Sequence, residues 1–257
     1  MWNKTQKEAL LNVCKKHRYQ NSENVIVPEP YLPYMPENWN GILVLAESQN
    51  ISPGDEYDKW LDELKTEPGK LMTRLEQIPY KNKPDWIGVG PWDDGTIKLA
   101  LQAIFEGANL ALKLEDVAVS NAVPWTKKTN GRNVNPDKEE MQPKAAKFWK
   151  NIFDVWQPDI KALVILGKVA KEVMASADVK EEKCLKLRLP SPKGINPVSG
   201  MFSCDDLKER FTEVQKALDT LKMNKEVKQY KMKVFYACHA VSLGVPRFKE
   251  WFGGVNK

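Results

Sequence analysis

The stretch Trp156-Gln157-Pro158-Asp159-Ile160-Lys161-Ala162-Leu163-Val164-Ile165-Leu166-Gly167-Lys168-Val169-Ala170 decides the fold. Ile160 to Leu166 reads as a strand whose apolar residues run on without polar alternation, the mark of a strand buried on both faces. Gly167 then opens a helix. A strand of this kind needs a layer on each side, and parallel sheets between helices supply it.

Working outward, the same pattern recurs. Gly41-Ile42-Leu43-Val44-Leu45 reads as a first strand and Val117-Ala118-Val119-Ser120-Asn121 as a second. Residues 184–189 read as a fourth, and Met232 to Cys238 looks like a fifth. Between them, helical periodicity falls over 5–17 (Ala9, Leu10, Val13, Cys14), 56–65, 69–78, 95–106 and 205–221. Asp94 is placed to cap the helix that carries Ile97, Leu101 and Ile104. Asn135-Pro136-Asp137 starts a helix to about Trp156 that buries Ala145, Phe148, Ile152 and Val155. The expectation is an α/β protein, a three-layer αβα sandwich with a central, mainly parallel sheet of about four strands. A single domain over 1–257 is expected, with 1–40 as an N-terminal helix and Pro-rich lead-in and 225–257 as a C-terminal extension.

Composition limits the function classes. The chain has 257 residues, long enough for a substantial core, and no apolar run approaches the ~20 residues of a membrane span. The residues after Met1 hold no apolar h-region, so a cytoplasmic location and no membrane partner are expected. Cys14, Cys184, Cys204 and Cys238 form no Cys-x-x-Cys pair and only two His accompany them, which argues against a zinc module and a disulfide scaffold. Neither metal nor cofactor is expected. The net charge of +5 is segregated: six acids lie within 55–67, while 127–150 holds seven bases against three acids and 221–257 eight against two. Such segregation fits a one-sided phosphate-binding face or simply solvated helix faces.

In parallel sheets ligands collect where strands end, so the segments after each strand matter most. None holds Gly-x-Gly-x-x-Gly or a phosphate-binding Gly-Lys-Ser/Thr loop, which disfavours a dinucleotide or nucleoside triphosphate. Ala46-Glu47-Ser48-Gln49-Asn50 offers amides and a carboxylate for a water or polar ring, or is an ordinary turn. Asn121 presents one acceptor and two donors, suited to an amide-like edge such as that of uracil, or braces a loop. Leu189-Pro190-Ser191-Pro192-Lys193-Gly194-Ile195-Asn196-Pro197 is a rigid loop, suited to clamping a phosphate backbone or to plain connection.

Together, Asn121-Ala122-Val123-Pro124, the run Trp156 to Ala170 and Leu187-Arg188-Leu189-Pro190-Ser191-Pro192-Lys193-Gly194-Ile195-Asn196 resemble the uracil-DNA glycosylase superfamily across 41–221. The last segment is most similar to its mismatch-specific and single-strand-selective branches. Departures accompany the likeness. Ala46-Glu47-Ser48-Gln49-Asn50 stands where most of the family has Gly-Glu-Ala-Pro-Gly, Gly-Gln-Asp-Pro-Tyr or Gly-Ile-Asn-Pro-Gly. Glu47 matches the Glu of the first, whereas Ser48 replaces the water-activating Asp or Asn. Leu189 replaces the His that begins the family's last motif, a His that the mismatch-specific branch also lacks. His239, within Ala237-Cys238-His239-Ala240-Val241-Ser242, is the alternative for that His. Iron–sulfur members carry a Cys shortly after the strand-two Asn; here Pro124 and Trp125 stand there, so no cluster is expected.

The resemblance implies a monofunctional DNA-repair glycosylase that flips out uracil, or a related mismatched or damaged base, and hydrolyses its N-glycosidic bond. Asn121 then reads the base edge with Gln49 beside it, and Trp92, or second Trp86, stacks on the ring. Amides at Glu47 and Ser48 hold the base oxygen, and Glu47 orients water or stabilises the sugar cation. Pro190, Ser191, Pro192, Lys193 and Arg132 grip the DNA. With Ser48 and Leu189 both altered, weak or narrow activity is expected. Two alternatives remain: a catalytically weak or inactive nucleic-acid-binding member of the fold, and an α/β hydrolase of a small substrate using Glu47.

Overall fold

Alternation of short apolar strands with amphipathic helices yields the expected α/β architecture of a three-layer sandwich, built on a four-stranded all-parallel sheet of order β2-β1-β3-β4. The structure is a computed structural model that describes residues 3–19, 30, 33, 35–51, 95–128, 137–156, 159–187 and 227–253. The elements are α1 (Lys4–Lys16), β1 (Ile42–Ile51), α2 (Gly95–Gly107), β2 (Ala118–Lys128), α3 (Met141–Trp156), β3 (Ala162–Leu166), α4 (Gly167–Ser176), β4 (Cys184–Leu187) and α5 (Val227–Phe252). The helices expected over 56–65, 69–78 and 205–221 and the Asp94 cap lie outside the described residues. The chain divides into two compact units. One comprises Met1–Pro91 with Glu115–Lys186, the other Trp92–Leu114 with Leu187–Lys257.

In the first unit the sheet residues Ile42, Leu43, Val44 and Leu45 are all fully buried, as a strand between two layers must be. Leu43, Leu45, Ala118, Ala122, Leu163 and Ile165 share one apolar cluster with α1, α3 and α4. Helix α3 contributes Ala145, Phe148, Trp149, Ile152 and Trp156, the i, i+3, i+4 spacing that turns one stripe inward. The buried Trp149 Nε1–H donates to the Ala122 carbonyl at 2.8 Å, so its polar end is satisfied against β2. A turn precedes α3: Asp137 Oδ1 accepts from the backbone N–H groups of Glu139 and Glu140. The helix therefore begins at Met141, later than the Asn-Pro-Asp signal implies.

Two strands run further than expected. β1 continues through the polar Glu47-Ser48-Gln49-Asn50, and β2 through Pro124 to Lys128. β1 pairs with β3 only from Ile42 to Leu45 and with β2 as far as Ile51. Among the described residues the β1–β2 pair therefore continues beyond Leu45 as a two-stranded ribbon, where polar residues are tolerated. Pro124 is accommodated because β2 is an edge strand and because the register slips there. Ser48 pairs with Val123 and Asn50 with Lys127, a bulge that needs no amide from proline.

In the second unit α2 packs on α5. The strand expected over Met232 to Cys238 is instead part of the 26-residue helix α5. Its buried residues, Tyr236, Ala240, Val241, Phe248 and Phe252, recur at helical spacing. Phe248 meets Phe105 of α2 at 5.6 Å between ring centroids. Gly244 permits the close approach, since a Cβ there would stand 2.5 Å from Ile104 Cδ1.

Candidate functional site

The sheet order fixes where a ligand has room. After β1 the chain crosses to one side, to β2; after β3 it crosses to the other, to β4. The crevice at the carboxyl ends of β1 and β3 is thus the topological switch point, where parallel α/β sheets bind ligands. Three features meet there. β3 ends at Leu166; Gly167, with φ +87°, turns the chain directly into α4; and β1 passes alongside carrying Glu47. Gly167 is suited to that turn because a left-handed backbone is strained for residues with a Cβ.

Leu166 precedes α4 without a side-chain cap. Glu47 Oε1 serves instead, accepting from the Val169 amide at 3.3 Å. An anion at this position complements both the unsatisfied N–H groups and the positive end of the helix dipole. The carboxylate thus has a structural task whatever its chemistry. Beyond Leu45 every second β1 residue turns its amide and carbonyl to the side where β3 has ended, and among the described residues no strand pairs with them there.

Asn121 lies in β2 with 2% exposure, its Cα opposite Ala46. Two segments distant in sequence therefore stand on adjacent strand positions. Their side chains diverge. Strand alternation groups Glu47 with Leu43, Leu45, Ala118, Ser120 and Ala122 on the α3 and α4 side, while Asn121 belongs with Val44, Ala46 and Val119 on the opposite face. The two residues meet in backbone register and not in side-chain direction. Ser48 pairs with Val123 and is half-buried, and Gln49 lies in β1. All of these residues stand inside strands rather than in loops following them, which corrects the expected strand ends. The adjacent Ser120 is fully buried, with no hydrogen-bond partner for its Oγ among the described residues.

His239 belongs to α5 of the second unit, half-buried, 6.5 Å from Tyr236 between ring centroids. Trp86, Trp92, Arg132, Pro190, Ser191, Pro192 and Lys193 lie outside the described residues. No group of three or more His, Cys, Asp or Glu suited to a metal ion occurs among the described residues. No described helix is long and apolar enough to cross a membrane.

A second cluster, not singled out from the sequence, lies further along β2 toward its carboxyl edge. Trp125 Nε1–H donates to the His17 carbonyl at 3.1 Å, and the Tyr19 ring meets Trp125 edge-on at 5.3 Å. Lys144 Nζ lies 4.4 Å from the centre of the Tyr19 ring and 2.7 Å from Glu140. Burial, followed by a hydrogen bond with Glu140, pushes the Tyr19 hydroxyl up to about 12. The basic run 127–150 was the sequence signal for this region, but the contribution of α1 emerges only from packing. No protein-family model matches the chain, and no curated protein sequence matches it either.

Proposed function

We propose that the chain is a DNA glycosylase acting on uracil or a related mismatched base, in a cytoplasmic setting with DNA as its partner. The observation that carries this reading is the pairing of Ala46 with Asn121, which puts the Glu47 segment and the Asn121 segment side by side at one sheet edge. The four-stranded parallel sheet fits the fold that the sequence resemblance implies. In this reading water adds its oxygen to the sugar C1′ and loses a proton. The C1′–N bond breaks, and the base leaves with the electron pair and takes up the proton that the water releases. Asn121 reads the base edge on its own face of the ribbon, and the amides of β1 beyond Leu45 hold the base oxygen on which charge develops. Glu47, engaged with α4 on the opposite face, holds the β1 segment in place beside β2.

The Glu47–Val169 bond favours a second reading, a nucleic-acid-binding member of the fold without catalysis, because capping α4 already gives this carboxylate a structural task. Oligonucleotides carrying single-stranded U, G·U, A·U and G·T separate the two. Base release by the wild type, falling about 10–100-fold in Asn121→Ala, supports the glycosylase. Equal cleavage by Asn121→Ala overturns Asn121 as the reading residue. Salt-sensitive DNA binding without any base release selects the second reading, and absence of DNA binding at low salt points to a small-substrate hydrolase.

A further inference from the structure

We infer that the carboxyl end of α1 and the exposed side of α3 form a surface for the phosphate backbone of DNA, with Lys16, Arg18 and Lys147 as its contacts. This rests on the DNA-acting reading above and states where the backbone runs. His17 anchors the surface. Its ring packs edge-on against Phe148 of α3 at 5.7 Å, its Nε2 lies 2.8 Å from Asn151 Nδ2, and its carbonyl accepts from Trp125 of β2. Burial of the ring, then the positive charges of Lys147 and Lys16, hold its pKa below the ordinary histidine value. Lys147 on α3 and Lys16 on α1 thus converge on one imidazole from two helices.

These cations are uncompensated. Lys144 is paired with Glu140 and Lys150 with Asp178, each at 2.7 Å, whereas Lys16, Arg18 and Lys147 are exposed and form no ion pair among the described residues. The carboxyl end of α1 supplies a negative pole of roughly half a charge, too little to neutralise three cations. Position supplies the second reason. Trp125 lies four residues beyond Asn121 on β2, about 13 Å along the strand, toward the edge at which Glu47 and Ile51 also lie. The patch lies on the α1 and α3 side of the sheet, the side to which Glu47 belongs, so a nucleic-acid strand held at the carboxyl ends of β1 and β2 passes it within a few nucleotides. A polyanion fits the patch, and a phosphate backbone is the polyanion the proposed function presents.

The test uses the full chain and a uracil-free duplex, with base release from a uracil oligonucleotide measured separately. Replacing Lys16 and Lys147 by Ala, both at exposed positions that leave the core untouched, is expected to lower the salt dependence of binding by about two counterion units. The loss of affinity between about 50 and 200 mM salt then becomes about tenfold smaller. With only two histidines in the chain, ring NMR reads the site directly: duplex addition shifts the titration of His17 upward and leaves that of His239 in place. An unchanged salt slope in the double variant, or an unmoved His17, overturns the surface even if base release persists. Base release absent from wild type while the slope and His17 respond as expected overturns the glycosylase and keeps the surface.

Discussion

The two halves of β1 obey different rules. Leu43 to Leu45 pair on both sides and, with Ile42, are fully buried and apolar. Ala46 to Ile51 pair with β2 alone, and there Ala46, Glu47 and Ser48 are half-buried. One strand thus serves as a core element and then, once β3 has ended, as a platform that can carry polar side chains. Polar chemistry in a parallel sheet becomes affordable where a neighbouring strand stops, because backbone and side chains there regain access to solvent or ligand.

The largest break of this contrast is expected in the first half. Leu43→Ala removes a fully buried side chain from the α3–α4 cluster and should lower unfolding free energy by about 2–5 kcal/mol, read as a shift in the denaturant midpoint. Glu47→Ala, in the second half, should cost about 1 kcal/mol through loss of the cap on α4. Glu47→Gln keeps an acceptor for Val169 and should recover most of that stability. If base release nevertheless collapses in Glu47→Gln, the charge serves chemistry as well as capping. A subtler effect concerns His17, where α1 meets α3. Its folded pKa lies below the unfolded value of 6.5, so the unfolded chain binds more protons as pH falls. Stability is therefore full above 6.5 and is lost as pH drops from there to the folded value; His17→Gln should flatten that part of the curve, measured by denaturation at a series of pH values.

How legible the fold was depends on the burial of each element. Ile160 to Leu166 announced itself because a strand covered on both faces cannot carry polar alternation. Met232 to Cys238 reads as a strand because a short apolar run holding Val234, Phe235 and Tyr236 serves strand or helix alike. The recurrence of buried Tyr236, Ala240, Gly244, Phe248 and Phe252 at every fourth position, with Gly244 and Phe248 against α2, goes with a helix. In the site, the residues were legible as types but their setting was not. Glu47-Ser48-Gln49-Asn50 reads as a loop by composition, and no local signal shows that β2 continues alongside to hold it extended. Pro124 likewise reads as a strand stop unless β2 is known to be an edge.

By itself the sequence determined the fold class, the strands' apolar cores and the residue types available at their carboxyl ends, since these follow from local periodicity and burial. Tertiary structure alone decided that Ala46 faces Asn121, that Glu47 and Asn121 address opposite faces, that Glu47 caps α4, and that α3 meets His17 of α1's carboxyl end. Each depends on pairing between segments far apart in the chain, and register and helix docking are set by the packing of the whole rather than by neighbouring residues.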